Sequence, residues 1–205
     1  MEQEFSSTLL ENAVSALSRL PGVGRRTALR FALHLLRRPA DEAASIGQAI
    51  IRLRSDIRYC SVCHNISESD ICPICSSDRR QSSVVCVVEN VKDVMSVENT
   101  RSFSGLYHVL GGLISPIDGI GPDALEIASL VERVRAGGID EVILATGATV
   151  EADTTNFYIY RLLSRENPSL RITQLARGVS VGDELQYTDE VTLARSLTAR
   201  TPFEL

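Results

Sequence analysis

The chain has no stretch of apolar residues long enough to cross a membrane. A bilayer-spanning helix needs roughly 20 consecutive apolar residues, and no run in these 205 residues approaches that length. The first residues, Met1 to Glu4, also lack the basic start of a signal peptide. These absences predict a cytoplasmic protein that makes no contact with membranes.

Two kinds of chemistry lack their sequence signatures. No GxxxxGK[ST] loop is present to bind the phosphates of a nucleotide, so nucleotide hydrolysis is not expected. The three histidines have no obvious serine or cysteine partner for nucleophilic catalysis. Internal repeats and low-complexity segments are absent as well, and 44% hydrophobic and 23% charged residues are typical of a folded soluble protein.

The net charge of −5 argues against nucleic-acid binding only if it is spread evenly, and it is not. Residues 1–59 contain nine arginines and six acids, whereas residues 60–205 contain twelve basic residues and twenty acids. Between Arg25 and Arg38 lie five arginines and no acid. A local cationic face of this kind attracts phosphate whatever the overall charge.

The first 58 residues are predicted to form an all-α module. Apolar residues spaced three and four apart predict one helix over 9–20, a second ending before Pro39, and a third that starts at an N-cap, Asp41. The apolar face of the third helix would consist of Ile46, Ile50, Leu53 and Ile57.

From residue 80 the pattern becomes that of an α/β domain. The valine run Val84 to Val88 is broken only by Cys86 and is typical of a buried parallel strand, which makes Cys86 a core thiol. Further strands are predicted at 107–110, 141–145 and 170–175, alternating with helices at 91–99, 123–136 and 153–166. Such alternation implies a parallel sheet with right-handed crossovers. A turn-rich tail with a short helix near 189–197 follows.

Four of the five cysteines form the strongest local signal. The pattern is two CxxC pairs separated by eight residues, formed by Cys60, Cys63, Cys72 and Cys75. Four thiolates so spaced can surround one zinc ion tetrahedrally and leave no position for water, so the ion would be structural. Two redox dithiols or unrelated buried cysteines are the alternative. His64 could compete as a ligand, although a solvent-facing side chain is the simpler expectation.

The segment LSRLPGVGRRTALRF has the form of a helix-hairpin-helix. Gly22 and Gly24 allow a tight turn and a close approach of the backbone to a phosphate, and the first N–H groups of the following helix supply donors. Arg25, Arg26 and Arg30 would add ionic contacts that weaken with salt. Contacts of this type ignore base identity. The alternative is an ordinary helical turn with a solvated basic face.

Glu89 is predicted at the carboxyl end of the first α/β strand, with Asp93 one helical turn later. Ligand sites of open parallel sheets gather at such strand ends. A lone carboxylate holds a catalytic magnesium ion poorly, however, and no aspartate pair follows the strand at 141–145, where the sequence reads Thr146-Gly147-Ala148. Glu151 is a further acidic candidate, with surface solvation as the alternative explanation for these acids.

Six blocks of sequence, taken in order, resemble the RecR family of bacterial recombination mediators. They are LPGVGRRTALRFALHLL, CSVCHNISESDICPICSSDRR, VCVVENVKDVMSVENT, GLYHVLGGLISPIDGIGPDAL, EVILATGATVEADTTNFYI and LARGVSVGDELQYTDEVTLARSL. The resemblance spans nearly the whole chain. It departs from the family pattern at Gly147-Ala148 and Ala152, where relatives read Asn-Pro and Gly, and at Gly182-Asp183, where they read Gly-Gly.

The resemblance implies an α+β multi-module protein with four parts. These are a helix-hairpin-helix module (1–58), a four-cysteine zinc finger (59–79), a Toprim-like α/β parallel sheet (80–177) and a C-terminal strand and helix tail that serves as an oligomer interface (178–205).

The resemblance also implies a function. The protein would bind single- and double-stranded DNA without catalysing a reaction, assemble as a ring-like tetramer, and work with RecO or RecF to load RecA on DNA coated by single-strand-binding protein. Arg26 and Arg30 would contact DNA, the four cysteines would hold one Zn²⁺, and Glu89 and Asp93 would face partner proteins. A magnesium-dependent Toprim nuclease or primase-like enzyme is the alternative, and an RNA-binding zinc module is a third.

Overall fold

The computed structural model describes residues 7–179, 182 and 184–202. The chain divides into two compact units, residues 1–57 and residues 58–205, which we call the N-terminal and C-terminal units.

The N-terminal unit is helical. Its helices are α1 (Thr8–Leu17), α2 (Arg25–Leu36) and α3 (Ala40–Asp56). Helices α1 and α2 pack around a small core of Val14, Ala28 and Ala32, with Leu10 and Leu17 at its edge. The alanines let the two helices approach closely, which fixes the hairpin between them.

One expectation for the N-terminal unit was wrong in detail. The N-cap of α3 is Pro39, whose backbone has a ψ of 145° outside the helical range, and Asp41 lies inside the first turn, where an acidic side chain stabilises the positive end of the helix dipole. The apolar face predicted for α3 is exposed in the single chain, with Ile50 and Leu53 62% and 63% accessible.

The C-terminal unit begins with a short antiparallel hairpin and continues with a four-stranded parallel sheet. The hairpin strands are β1 (Arg58–Tyr59) and β2 (Ile66–Ser67). The sheet strands are β3 (Gln81–Val88), β4 (Gly105–Val109), β5 (Glu141–Leu144) and β6 (Arg171–Gln174), in the order β4-β3-β5-β6. Helices α4 (Val91–Thr100), α5 (Ile127–Arg135) and α6 (Val150–Glu166) connect the strands.

Strand β3 lies at the centre of the sheet and is buried on both faces, as its valine run predicts. On one face Val85 and Val87 belong to a cluster with residues of α5 and α6, and on the other Cys86 and Val88 pack with residues of α4 and β4. Fully burying a valine side chain stabilises the fold by roughly 1.5–3 kcal/mol, so β3 is the main anchor of the C-terminal unit.

The helix predicted over 123–136 is interrupted. A 3₁₀ turn covers Pro122–Ala124, and α5 starts only at Ile127. In the tail the described residues form a 3₁₀ turn (Leu185–Tyr187) and helix α7 (Glu190–Thr198), with Asp189 as its N-cap. They include no strand, while Asp183 lies outside the described residues.

Candidate functional sites

The hairpin between α1 and α2 is a tight turn built on a glycine. Gly22 has a φ of +79°, in the left-handed region that glycine adopts without strain. The N–H of Val23 donates to the carbonyl oxygen of Leu20 at 3.1 Å and closes the turn. An added Cβ at Gly22 or Gly24 would meet no atom within 4 Å, so the surface beside the turn is open.

Helix α2 starts without a side-chain cap, because its N-cap is Gly24. The first N–H groups of any helix have no acceptor within the helix and carry the positive end of its dipole. Arg26 and Arg30 are exposed and one turn apart on this helix, and the guanidinium of Arg30 lies 5.7 Å from the ring centre of Phe31. Arg25 is exposed at the same end. The structure thus brings together every residue predicted for the phosphate site.

The four cysteines of the C-terminal unit converge. All four sulfur atoms lie within 4.8 Å of one another, and the Sγ atoms of Cys63 and Cys72 are 3.6 Å apart. Zn–S bonds of about 2.3 Å place the sulfurs of a tetrahedral site nearly 4 Å apart, so this arrangement fits a zinc ion. Cys60, Cys63 and Cys72 are buried and Cys75 is partly buried, as expected of a closed structural site.

Backbone N–H groups point at the sulfur atoms. The N–H of Cys72 donates to Cys60 Sγ at 3.3 Å, and the N–H of Cys75 donates to Cys72 Sγ at 3.4 Å. Burial raises the pKa of the Cys60 thiol, but N–H donors from Cys72, Val62 and Cys63 outweigh it and lower that pKa to about 7. Donors of this kind favour a thiolate, the form that binds a metal. The hydrogen bond with Cys75 and burial raise the pKa of Cys63, and burial raises the pKa of Cys72.

The histidine beside the finger and the fifth cysteine are both largely withdrawn from solvent. The expectation for His64 was wrong: its side chain is only 20% exposed, and its Nε2 lies 2.9 Å from Ser129 Oγ on α5. Its ring nitrogens are outside the sulfur cluster. Cys86 is a core thiol, as predicted, and burial raises its pKa to about 12.

The acidic residues at the carboxyl edge of the sheet have separate local environments. Glu89 follows β3 and its carbonyl oxygen accepts from the N–H of Gly111 at 2.9 Å. Asp93 belongs to a capping box, because its carboxylate accepts from the N–H of Asn90 while the Asn90 side chain accepts from α4. Glu151 lies in the first turn of α6. Sequence reasoning missed the role of Asp93, although the Asn-x-x-Asp spacing is its signal.

The loop after β5, which lacks an aspartate pair, is held by polar contacts. The Oγ1 of Thr146 donates to Asn156 Oδ1 at 3.0 Å, and Arg177 donates to the carbonyl oxygen of Gly147 and to Asp153. Within the described ranges the four cysteines are the one group of three or more potential ligands whose donor atoms converge. The three acidic candidates at the sheet edge do not form such a group.

Comparison with curated proteins identifies close relatives of full length. "Recombination protein RecR" of Bacteroides fragilis is 57% identical over 203 residues, which cover 99% of this chain and 98% of the relative. The protein of the same name from Parabacteroides distasonis is 56% identical and covers the whole of this chain and 98% of the relative. That of Flavobacterium johnsoniae is 52% identical over 98% of the chain and 97% of the relative.

The chain belongs to the RecR family.

Family models locate the RecR modules within the chain. The RecR helix-hairpin-helix model matches residues 10–53, the RecR four-cysteine zinc finger model residues 57–77, a Toprim domain model residues 83–176, and the RecR C-terminal model residues 178–201. The RecR finger match coincides with the converging sulfur atoms, so the four cysteines form a site for one structural zinc ion. No helix in the described part of the chain is long and apolar enough to span a membrane.

Proposed function

We propose that this RecR-family chain is a non-catalytic mediator of DNA recombination and repair that binds the sugar-phosphate backbone through its helix hairpin. The observation that carries the proposal is the start of α2, where the uncapped Gly24 and the exposed Arg26 and Arg30 lie beside the open Gly22 turn. N–H donors and guanidinium groups on one small surface suit a phosphate chain and read no base.

The acidic edge supports a binding role rather than catalysis. A phosphodiester-cleaving Toprim site would bring several carboxylates to one magnesium ion. Here Asp93 is engaged in a capping box and the loop after β5 carries Thr146-Gly147-Ala148. We assign Glu89, Asp93 and Glu151 to a face for the mediator partners RecO or RecF, which would load RecA onto single-stranded DNA coated by its binding protein.

Assembly into a ring tetramer needs two different self-interfaces on each subunit. Each unit offers exposed apolar side chains for one of them. On α3 these are Ile46, Ile50 and Leu53, and in the tail they are Leu185, Tyr187, Val191 and Leu197. We propose the helical module and the tail as the two interfaces. Sedimentation or light scattering with and without DNA measures the subunit number.

The DNA site is tested by the double variant R26A/R30A. Fluorescence anisotropy with single-stranded and duplex oligonucleotides at several salt concentrations should show at least roughly tenfold weaker binding. The slope of log K against log salt should fall by about 2, since roughly one counterion is released per phosphate contact. The variant R52A/R54A on α3 removes the same charge from the same unit and should retain wild-type affinity. Wild-type affinity of R26A/R30A would remove the hairpin from the DNA site.

The catalytic alternative has a separate test. Purified protein is incubated with single-stranded and nicked DNA in Mg²⁺ or Mn²⁺, beside the variant E89Q. We expect no cleavage by either protein. Cleavage that disappears in E89Q would replace the mediator proposal with a Toprim enzyme.

A further inference from the structure

The zinc finger is joined to the sheet by a backbone hydrogen bond. The N–H of Val109, at the end of the buried strand β4, donates to the carbonyl oxygen of Cys63 at 2.8 Å. The neighbouring His64 stacks edge to face on the buried His108 of the same strand, with ring centres 5.1 Å apart. The knuckle of the finger is therefore seated directly on the α/β domain.

Helix α5 places a guanidinium beside this junction. Arg133 is partly buried, and its Nη1 donates to the carbonyl oxygen of Tyr107 on β4 at 2.7 Å. Burial lowers the pKa of Arg133, and electrostatic interaction with the four cysteines opposes that change. Arginine keeps its proton in proteins. A permanent positive charge therefore lies on the same edge of β4 that binds the finger, two positions along the strand from the hydrogen bond between Val109 and Cys63.

The net charge of the zinc-loaded site makes a nearby cation such as Arg133 stabilising. One Zn²⁺ ion and four thiolates carry a net charge of about −2 by formal count. A buried charge without a partner is costly, whereas a nearby opposite charge offsets much of that cost. Residues outside the ligand set tune metal affinity in this way, and their loss typically reduces it about 10–100-fold.

We propose that Arg133 is the electrostatic partner of the zinc centre: a cation supplied by the α/β domain that compensates the tetrathiolate and couples zinc retention to the folding of the sheet. This role is independent of DNA binding and goes beyond the proposed function. The coupling also acts in the opposite direction, because the zinc-loaded finger should hold the side chain of Arg133 in place.

The experiment compares substitutions at Arg133 that separate charge from hydrogen bonding. R133M removes both, R133Q keeps a donor for the Tyr107 carbonyl but no charge, and R133K keeps the charge. Zinc affinity of the full chain is measured by competition with a chromophoric chelator. The visible absorption of the cobalt-loaded proteins verifies that four sulfur ligands remain. The matched control is R135M on the same helix, since Arg135 is exposed and pairs with Glu166.

We expect R133M and R133Q to bind zinc roughly 10–100-fold more weakly, with R133K within a few-fold of the wild type and R135M unchanged. Should R133M fail to fold, the contrast between R133Q and R133K decides the question alone. Wild-type zinc affinity of R133Q would overturn the proposal, as would equal losses in R133Q and R133K, because charge would then not be the relevant property.

Discussion

The hydroxyl of Tyr107 donates to the carboxylate of Glu98 at 2.7 Å, which ties strand β4 to helix α4. The guanidinium of Arg80 binds the same carboxylate with two nitrogens and also reaches the carbonyl oxygens of Phe103 and Gly105. The hydrogen bond from Arg80 lowers the pKa of Glu98, while burial and the bond to Glu98 raise the pKa of Tyr107. One carboxylate thus connects helix α4, strand β4 and the residue that immediately precedes β3.

Removing this charge should destabilise the fold. E98Q keeps the shape of the side chain but leaves Arg80 partly buried without its counter-ion, so the free energy of unfolding in urea should fall by about 1–3 kcal/mol near neutral pH. E132Q, at an exposed position of α5, is the control and should stay within about 0.5 kcal/mol of the wild type. Equal stability of E98Q and wild type would show that the ion pair contributes nothing.

The same pair predicts a pH dependence. Because the pKa of Glu98 is below its ordinary value of 4.5 in the folded state, folded Glu98 binds fewer protons than unfolded Glu98. Its stabilisation is present above that ordinary value and is lost as the pH falls through the folded pKa. The difference in unfolding free energy between wild type and E98Q should therefore shrink between about pH 6 and pH 3, by an amount on the order of 1 kcal/mol. A constant difference would contradict this.

Substitutions of the two hairpin glycines should affect stability and DNA binding differently. G22A places a side chain at a φ of +79° and should cost about 1–2 kcal/mol of stability. Gly24 has a φ of −74°, and serine there would cap α2 with its own hydroxyl, so G24S should keep or slightly increase stability. It should nevertheless weaken DNA binding, because the hydroxyl occupies the amides offered to phosphate. Thermal unfolding and anisotropy measure the two effects. Full DNA affinity in G24S would contradict the amide contact.

Substitutions of a metal-site cysteine and of the core cysteine should differ in their effect on zinc content. C72S should lose the ion and several kcal/mol of stability, because metal binding and folding of this segment are coupled. C86A should retain one zinc per chain and lose only about 1 kcal/mol, because Cys86 packs in the sheet core. Elemental analysis measures the zinc content of both variants, and chemical unfolding measures their stability. Stoichiometric zinc in C72S would show that three cysteines suffice.

At the acidic edge, Asp93 and Glu89 should differ. D93A breaks the capping box of α4 and should cost about 1 kcal/mol, whereas E89Q should leave stability within about 0.5 kcal/mol. Because we assign both residues to the face for RecO or RecF, each variant should weaken partner binding at least roughly fivefold, which corresponds to about 1 kcal/mol of binding free energy. Biolayer interferometry with the purified partner measures this affinity. Unchanged partner binding by E89Q would remove Glu89 from that face.

The local features were predictable from sequence because they depend on short spacings. The CxxC pairs, the Gly-x-Gly turn and the valine run of β3 each specify their structure within a short stretch of chain. Long-range contacts gave no such signal: Ser129 is 65 positions from His64, so the histidine was expected in solvent. Arg133 looks like any surface arginine of an amphipathic helix, and only the fold brings its charge to the edge of β4 that binds the finger.

The position of the finger has a consequence for solubility. Strand β4 is the outermost strand on its side of the sheet, and two of its outward-facing groups, the N–H of Val109 and the carbonyl oxygen of Tyr107, are occupied by Cys63 and Arg133. An unpaired strand edge is a template for aggregation. We therefore expect the zinc-loaded finger to protect this edge from pairing with the sheet of another molecule. Removal of zinc with a chelator should expose the edge and cause aggregation through β4.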